Sequence, residues 1–342
     1  MSEPRRITHR DIAKKYGCDR STVSLALSGH PRIRPEVRDE INTLAREMGY
    51  RPDPGLAMLA RHRFSPRSAN VSPTIAYLVD SREESYPLQV RHQPAARRRA
   101  WDRGYEISEF DLSKYPSGEA ASHVLFHRGV RGLIIPTLSP NMGAYFSDPG
   151  WNRFTAVCCS VGWVRVPFHV VTNDIFEGTR LVWRETVNRG YKRIGAALFR
   201  HTPVAEDDFA RFGASVAQQE ELVKKRERLP FLRCDPFDEK AFFAWMKRYR
   251  PDAIISFISR PYEWLLRAGY RVPEDVAFVC CNVHEGLPLA GLAVDTDELG
   301  EAAVDFLVAQ IHDQARGAPP IQQIVQLQRR WLEGTTLPVV KG

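Results

Sequence analysis

The sequence predicts an all-α head at the N-terminus, followed by an α/β body built on doubly wound parallel sheets. Residues at helical spacing, flanked by capping residues, fill the first 50 of the 342 positions, and strand-like apolar runs alternate with helix-like stretches from Thr74 onward. The first 68 residues contain 14 Lys and Arg against 8 Asp and Glu, so they carry nearly all of the net charge of +7. A chain of this length is too long to fold around a single hydrophobic core, which favours two or more domains.

The composition is typical of a soluble globular protein, with 43% hydrophobic and 26% charged residues. No apolar run approaches the ~20 residues that cross a bilayer, and the basic start from Met1 to Arg10 lacks the pattern of a secretory signal. We therefore expect a cytoplasmic protein. The six cysteines lack CxxC spacing, which predicts reduced thiols rather than a zinc or redox site. Each adjacent pair, 158–159 and 280–281, is expected to place one thiol in a core.

Three short helices are predicted within the head. The caps and breakers, in chain order, are Thr8 with Asp11, Gly17, Asp19, Gly29, Pro31, Pro35 and Gly49. The predicted buried stripes are Ile12, Ala13 and Tyr16, then Val23, Ala26 and Leu27, then Val37, Ile41, Leu44, Ala45 and Met48. Two helices joined by a tight turn and braced by a third form a helix-turn-helix unit. Together with the excess positive charge, this pattern indicates DNA binding.

The second helix of such a unit lies in the major groove, with its N-terminal residues facing base edges. Arg20, Ser21 and Leu25 are predicted to point outward. Arg20 can donate two hydrogen bonds to a guanine, and Leu25 can contact a thymine methyl group. Phosphate contacts, which set register rather than sequence preference, are predicted for Thr8, Thr22, Ser24, Ser28 and Arg34.

The segment from residue 7 to about residue 60 resembles the DNA-binding head of the LacI/GalR family of transcriptional regulators. The matching residues are Thr8, Asp11, Ile12, Ala13, Gly17, Thr22, Val23, Ser24, Pro35, Gly49, Tyr50 and Pro52. The resemblance implies that the following segment forms a hinge helix on operator binding, and that Leu59 wedges into the minor groove at the centre of the site. Pro54 and Gly55 depart from that pattern and lower the helix propensity of the free hinge. A permanently disordered linker is the alternative.

The body alternates strands and helices over short links, and ligands in such sheets bind beyond the C-terminal ends of the strands. Fragments that resemble the family's effector-binding core are RGVRGLII, NDIFEG, RGYKRIG, RPDAI, GYRVPEDVAFV, AGLAVDTDELGEAAVDFL and GAPP. The resemblance implies two periplasmic-binding-protein-like α/β lobes that close on a ligand. The predicted domains are a head at 1–50, a hinge helix at 51–62, a linker at 63–73 and an effector-binding and dimerisation core at 74–342. Within the core, lobe 1 is predicted at about 74–172 and 296–325, and lobe 2 at about 173–295 and 326–338.

The resemblance also implies an effector site, carried over position by position. Its predicted residues are Ser81, Arg211, Asn282 and Asp295, with Trp163 or Phe168 as an aromatic platform. Two departures stand out: the family's usual arginine position is Ala210 here, and the usual aspartate is the neutral Asn282. These departures leave open an atypical or vestigial pocket. A carbohydrate is the first expectation for the effector, and a nucleobase is the second.

Two rival functions fit the sequence less well. An enzyme lacks support because no GxGxxG follows the first strand, and no P-loop, GxSxG or HExxH occurs. The adjacent Asp207 and Asp208 are expected to be solvated rather than a catalytic pair. A transport-type binding protein would need an export signal and would not carry a helix-turn-helix. We therefore expect a LacI-type repressor that binds double-stranded operator DNA as a homodimer. We expect no cofactor, no metal and no catalytic residue.

The hinge wedge generates the first testable prediction. Substituting Leu59→Ala should weaken operator binding, because a methyl side chain cannot hold open the central base step. An equilibrium binding titration with a palindromic operator measures the effect. Met58→Ala is a suitable control, because it truncates the neighbouring apolar side chain without lowering the helix propensity of the hinge. Unchanged affinity in the Leu59→Ala variant would show that the wedge does not form.

Overall fold

The chain divides into two units, Met1–Asn70 and Val71–Gly342. In the computed structural model, the described residues are 7–27, 30, 32–50, 74–137, 139–159, 162–236, 238–284, 286–294 and 296–340. The predicted hinge helix and linker, and the site residues Ser28, Leu59 and Asp295, lie outside these residues. Among the helices that are described, none is long and apolar enough to span a membrane.

The first unit contains the three helices that the sequence predicts. They are α1 (His9–Tyr16), α2 (Arg20–Leu27) and α3 (Pro35–Glu47). The carboxylate of Asp11 accepts hydrogen bonds from the backbone N–H and the hydroxyl of Thr8, at 2.8 and 2.7 Å, and so fastens the start of α1. Gly17 ends α1 in the left-handed region, with φ of 83°. The predicted apolar stripes meet in one small core, centred on Ile12, Val23, Ala26, Ile41 and Ala45.

The second unit begins with a six-stranded, all-parallel sheet, which defines lobe 1. Its strands are β1 (Thr74–Val79), β2 (Glu106–Asp111), β3 (Gly132–Ile135), β4 (Thr155–Cys159), β5 (His169–Asn173) and β10 (Ile324–Leu327), in the spatial order β10-β5-β4-β3-β1-β2. The helices of this lobe are α4 (Tyr86–Val90), α5 (Gln93–Asp102), α6 (Gly118–His127) and α11 (Thr296–His312). Short 3-10 segments lie at Leu112–Lys114, Pro140–Ser147 and Pro149–Arg153.

Both faces of the lobe 1 sheet are covered, and each carries its own apolar core. Cys158 belongs to the core on one face and Cys159 to the core on the other. The expectation that only one thiol of each adjacent pair reaches a core is therefore wrong. Cys280 and Cys281 are likewise both buried in the core of the second lobe. Burial raises the pKa of Cys159 to about 12, which keeps this thiol protonated.

Lobe 2 is built on a five-stranded sheet. Its strands are β6 (Ile194–Ala197), β7 (Ala253–Ser256), β8 (Ala277–Val283), β9 (Ala290–Ala293) and β11 (Trp331–Leu332), in the order β11-β9-β8-β7-β6, with β11 antiparallel to β9. Its helices are α7 (Ile175–Asn188), α8 (Glu206–Leu222), α9 (Glu239–Tyr249) and α10 (Arg260–Arg267), with a 3-10 turn at Lys225–Glu227.

Three crossings connect the two lobes. The chain passes from β5 of lobe 1 to α7 of lobe 2, returns from β9 to α11, and crosses again from β10 to β11. The last crossing follows Leu327, two residues beyond the predicted position, because β10 pairs with β5 through Leu327 opposite Asn173. The C-terminal ends of the parallel strands in both sheets thus lie close to the crossings, where ligands of doubly wound folds bind.

Strand β9, which leads into the second crossing, requires glycine at position 291. Gly291 has φ of 147°, and an added Cβ would lie 1.8 Å from the carbonyl oxygen of Cys280. We expect Gly291→Ala to lower the free energy of unfolding by ~3 kcal/mol or more, because strain and overlap combine. Gly269→Ala is the control: Gly269 has φ of 85° but open space around it, so its cost should be about 1 kcal/mol. Equal losses in urea denaturation would contradict this account.

Candidate nucleic-acid interface and inter-lobe cleft

The N-terminal end of α2 is the accessible part of that helix. Arg20 and Ser21 are exposed, Thr22, Ser24 and Leu25 are half-buried, and Val23 and Ala26 face the core. Arg20 makes no ion pair with a described residue, so its guanidinium is available for a base edge or a phosphate. Burial, and then the charge of Arg20, lower the pKa of the neighbouring His9. A neutral His9 leaves the positive charge at this end concentrated on Arg20.

Thr8 and Arg34 lie at the starts of α1 and α3. Arg34 is exposed immediately before Pro35, a position compatible with the predicted phosphate contact. The Thr8 hydroxyl, by contrast, already donates to Asp11 at 2.7 Å. In this unit it is a capping group, and a phosphate contact through it would require the hydroxyl to leave Asp11.

The structure adds one contact that the sequence did not suggest. The Nε2 atom of His9 lies 2.6 Å from the hydroxyl of Tyr50, and the two rings are 5.2 Å apart. This hydrogen bond links the start of α1 to the chain that leaves α3. It holds the exit of the head beside the helix-turn-helix, although the two residues are 41 positions apart.

In lobe 1, Ser81 follows β1 as predicted and is exposed. Its hydroxyl donates to the carboxylate of Asp111 at 2.7 Å, and its backbone N–H donates to the other oxygen at 3.2 Å. Asp111 is the last residue of β2, the neighbouring strand. Ser81 thus links the ends of β1 and β2. Both of its N–H and O–H donors are used, so its hydroxyl oxygen can only accept a hydrogen bond from a ligand.

In lobe 2, Arg211 is buried on α8 and pairs with two carboxylates. It lies 2.7 Å from Asp207 and 3.0 Å from Asp208, and its guanidinium stacks 4.4 Å from the ring centre of Phe257. The sequence-based expectation that Asp207 and Asp208 are solvated is wrong for Asp208, which is only 8% exposed. The helical spacing of three and four residues brings these acids to one arginine.

Asp208 is also the centre of a wider hydrogen-bond network. It accepts from the backbone N–H groups of His201 and Ala205 at 3.0 and 3.1 Å, and its other oxygen lies 2.9 Å from Nδ1 of His201. Burial alone would raise the pKa of Asp208, but the hydrogen bonds from His201 and the charge of Arg211 outweigh it and hold that pKa well below its usual range. Asp208 is therefore ionised at neutral pH.

The same residues have the atom types of a metal site, because His201, Asp207 and Asp208 offer ligand atoms within 4.8 Å of one another. The guanidinium of Arg211 already supplies positive charge to both carboxylates. A divalent cation would have to compete with that buried arginine. The arrangement therefore favours a hydrogen-bonding network over metal coordination.

Asn282 lies at the C-terminal end of β8, and its amide donates to the carbonyl oxygen of Phe257 at 2.8 Å. Beside it is a small cavity of about 10 Å³, which is room for about one water molecule. The cavity is lined by Ile175, Gly178, Thr179, Arg211, Cys281, Asn282, Leu292 and Arg329. Two of the predicted effector residues therefore meet at one site, and the space between them is nearly closed.

Trp163 reaches from lobe 1 to lobe 2. Its indole N–H donates to the carbonyl oxygen of Pro203 at 2.9 Å, and its ring meets that of His201 edge-on at 5.5 Å. Two residues further on, Arg165 forms a two-pronged ion pair with Glu206, at 3.0 and 2.8 Å. We call these two contacts the clasp. The alternative platform, Phe168, is only 2% exposed and packs in the lobe 1 core, so it cannot serve as a platform.

Both parts of the chain match models of known protein families. Residues 8–53 match the model of the bacterial regulatory proteins of the lacI family, and residues 183–331 match the periplasmic binding protein-like domain. The first match covers the helix-turn-helix, and the second covers most of lobe 2 and the return into lobe 1.

Individual relatives are similar over nearly the whole chain. The HTH-type transcriptional repressor PurR of Mannheimia succiniciproducens is 21% identical over 90% of this chain and 93% of its own. A solved complex of the transcriptional regulator CelR with cellobiose has a TM-score of 0.60 and 17% identity, covering 97% of this chain and all of that one. The lac repressor dimer bound to operator and the anti-inducer ONPF has a TM-score of 0.58 and 18% identity, covering 98% of this chain and all of that one.

The buried network around Asp208 yields a prediction about stability. We expect Asp208→Asn to lower the free energy of unfolding by about 3 kcal/mol, because Arg211 loses a buried partner. Since the folded-state pKa of Asp208 lies below the unfolded value of about 3.9, its contribution is present above that value and is lost as the pH falls further. Urea denaturation across pH 2 to 7 measures both effects.

The matched control is Asp207→Asn, because the Asp207 side chain is 25% exposed and pairs with the same arginine. Its cost should be smaller than that of Asp208→Asn. A larger loss for Asp207→Asn, or an Asp208→Asn variant with wild-type stability at pH 7, would contradict the central place of Asp208.

Proposed function

We propose that this chain is a DNA-binding transcriptional regulator of the LacI type, and that it is a repressor controlled by a small molecule bound between the two lobes. One observation carries this proposal: a basic helix-turn-helix unit precedes a two-lobed body whose strand ends converge on the inter-lobe cleft. The protein would act on double-stranded operator DNA in the cytoplasm, without catalytic activity of its own.

The exposed end of α2 supports the assignment of base contacts to Arg20 and Ser21, with Leu25 at the edge of the contact. Arg34 and the half-buried hydroxyls of Thr22 and Ser24 are suited to phosphates, which fix the register of the helix in the groove. For Ser28 we propose a phosphate contact and for Leu59 the minor-groove wedge, both on the basis of the sequence alone.

A carbohydrate is the proposed effector. Arg211, Asp208 and Asn282 together offer donors and acceptors that suit hydroxyl groups, and Trp163 adds an aromatic wall. The cellobiose complex of the similar regulator CelR supports this choice. The proposed site extends to Ser81 in lobe 1. Asp295 is proposed as an effector residue on the sequence alone. A nucleobase is the second candidate.

Each described effector residue already has an internal partner, and the cavity beside Asn282 holds about one water molecule. Entry of a sugar therefore requires the lobes to separate. The clasp can open at little cost, because Arg165 is 71% exposed and solvent-exposed ion pairs contribute little stability. A ligand that binds the open and closed lobes unequally would shift their equilibrium and thereby change operator affinity.

The same internal pairing also favours a second candidate: a regulator whose pocket is vestigial. A thermal-shift screen of the full-length protein against sugars, sugar acids and nucleobases separates the two, because a ligand of the folded state raises the melting temperature. A compound that raises the melting temperature and changes operator affinity supports control by an effector. A uniformly negative screen supports the vestigial pocket.

We propose a homodimer as the functional state, since a two-fold assembly matches a palindromic operator. On α5 of lobe 1, Trp101 is 77% exposed, and tryptophan on a protein surface is frequent at interfaces. The similar lac repressor structure is a dimer bound to operator. Analytical ultracentrifugation of the wild type and of Trp101→Ala tests this point: a wild-type monomer at micromolar concentration would exclude it.

The recognition helix gives the decisive prediction for the function. Arg20→Ala should cost ~1–3 kcal/mol of operator binding and relax discrimination at one base pair in each half-site. Arg34→Ala is the matched control, since loss of a phosphate contact weakens all sequences equally and lowers the salt dependence by about one ion. Operator titrations against single-base variants measure both. A uniform loss for Arg20→Ala would make it a phosphate contact, and no sequence-specific DNA binding by the wild type would refute the proposed function.

A further inference from the structure

We infer that the effector carries an anionic group, a carboxylate or a phosphate, and that Arg91 binds this group from lobe 1. The inference rests on the proposed function and specifies the chemical class of the ligand in the same cleft. It starts from Arg91, a partly buried guanidinium that none of the sequence patterns singled out.

Arg91 caps the C-terminal end of α4, and its charge interacts with three side chains. Tyr77 comes from β1 and Cys159 from the C-terminal end of β4, while Asp207 comes from the first turn of α8 in lobe 2. Because Tyr77 and Cys159 belong to lobe 1 and Asp207 to lobe 2, these interactions indicate that Arg91 faces the cleft.

The hydrogen bonds around Arg91 provide no negative charge. Its Nε donates to Nε2 of His92 at 2.9 Å, and Nδ1 of His92 lies 2.8 Å from the carbonyl oxygen of Thr296. Burial, and then the charge of Arg91, lower the pKa of His92 to about 4. His92 is therefore neutral at pH 7, with its proton on Nδ1, and it orients Arg91 without neutralising it.

Of the other neighbours only Asp207 is negatively charged, and it forms no ion pair with Arg91. Tyr77 and Cys159 stay protonated, because burial raises the pKa of each. Asp207 is held by Arg211 at 2.7 Å. Among the described residues, no carboxylate lies within ion-pair distance of Arg91. A buried charge without a partner is costly, and the free terminal nitrogens of a guanidinium match a carboxylate or phosphate in a two-pronged geometry.

Two further donors lie at the same edge of the lobe 1 sheet. Thr137 and Ser139 follow β3, which pairs with β4 and its terminal Cys158–Cys159. Thr137 is 9% exposed and Ser139 is 3% exposed, and neither hydroxyl has a hydrogen-bond partner among the residues that the structure describes. Buried hydroxyls without partners are uncommon in folded proteins. They are suited to the remaining oxygens of an anion that approaches Arg91.

Lobe 2, by contrast, presents carboxylate and amide groups that suit hydroxyls, from Asp208 and Asn282. The two lobes therefore favour different ends of one ligand. An acidic sugar or a sugar phosphate satisfies both, whereas a neutral sugar would leave Arg91 unpaired.

The test compares full-length wild type with Arg91→Met, which keeps a side chain of similar length without the charge. Arg131→Met is the control, because Arg131 is an exposed arginine of the same lobe. Melting temperatures are measured in sodium chloride and in inorganic phosphate, glucose, glucuronate and glucose 6-phosphate at matched ionic strength. Phosphate and at least one acidic sugar should raise the wild-type melting temperature by ~2 °C or more relative to chloride and glucose.

The response should disappear in Arg91→Met and persist in Arg131→Met. Whether glucuronate or glucose 6-phosphate gives the larger shift identifies the anionic group as carboxylate or phosphate. Without ligand, Arg91→Met should melt at or above the wild-type temperature, since a buried unpaired charge has been removed.

Three results would overturn the inference: equal responses to the anions in all three proteins, no anion response in the wild type, or a lower ligand-free melting temperature for Arg91→Met. The last would make Arg91 a structural residue. Operator titration of the same preparations separates this from the proposed function. Wild-type protein that binds operator but shows no Arg91-dependent anion response refutes only the inference, whereas absent operator binding refutes the proposed function.

Discussion

The cleft depends on one buried interaction, the ion pair of Asp208 with Arg211. It joins the loop after β6 to α8 through His201 and Ala205, and it seats the guanidinium against Phe257. Phe257 in turn receives the amide of Asn282, so three strand ends of lobe 2 are linked through a single carboxylate. Such a pair adds little net stability over apolar packing, but removing one partner is costly. Its contribution is geometric: it holds polar groups in fixed directions at the place where the lobes meet.

The contrast between the lobes follows from this interaction. In lobe 2, the polar groups at the cleft are paired with one another, whereas in lobe 1 Arg91, Thr137 and Ser139 lack such partners among the described residues. The clasp of Trp163 and Arg165 bridges the two with contacts that are partly exposed and readily broken. The clasp is weak, the polar groups of lobe 2 are fixed by one another, and those of lobe 1 lack partners. In this arrangement, ligand binding can change the separation of the lobes. Only a ligand with unequal affinity for the two arrangements would have that effect.

Local patterns predicted most of the fold, and long-range partners account for most of what was missed. Capping residues and apolar spacing located α1, α2 and α3, and strand–helix alternation located both parallel sheets. Asp208 was predicted to be solvated as one of two adjacent carboxylates in a loop, but it lies on α8, where its carboxylate binds Arg211 and the backbone N–H groups of His201 and Ala205. Phe168 looked available as a platform because periodicity does not tell which face of the chain meets a core. Arg91 carries no motif, and its environment arises only when β1, β4 and the opposite lobe come together.

The sixth strand of lobe 1 has a consequence for how the protein is made. Strand β10 (Ile324–Leu327) lies parallel to β5, about 150 positions earlier in the chain, and α11 covers one face of the same sheet from residues 296–312. During synthesis, the first five strands of lobe 1 leave the ribosome long before the helix and strand that complete them. An exposed sheet edge and an uncovered apolar face therefore persist while residues 175–293 of lobe 2 are synthesised. Aggregation is a greater risk for the nascent chain during that interval than for the finished protein.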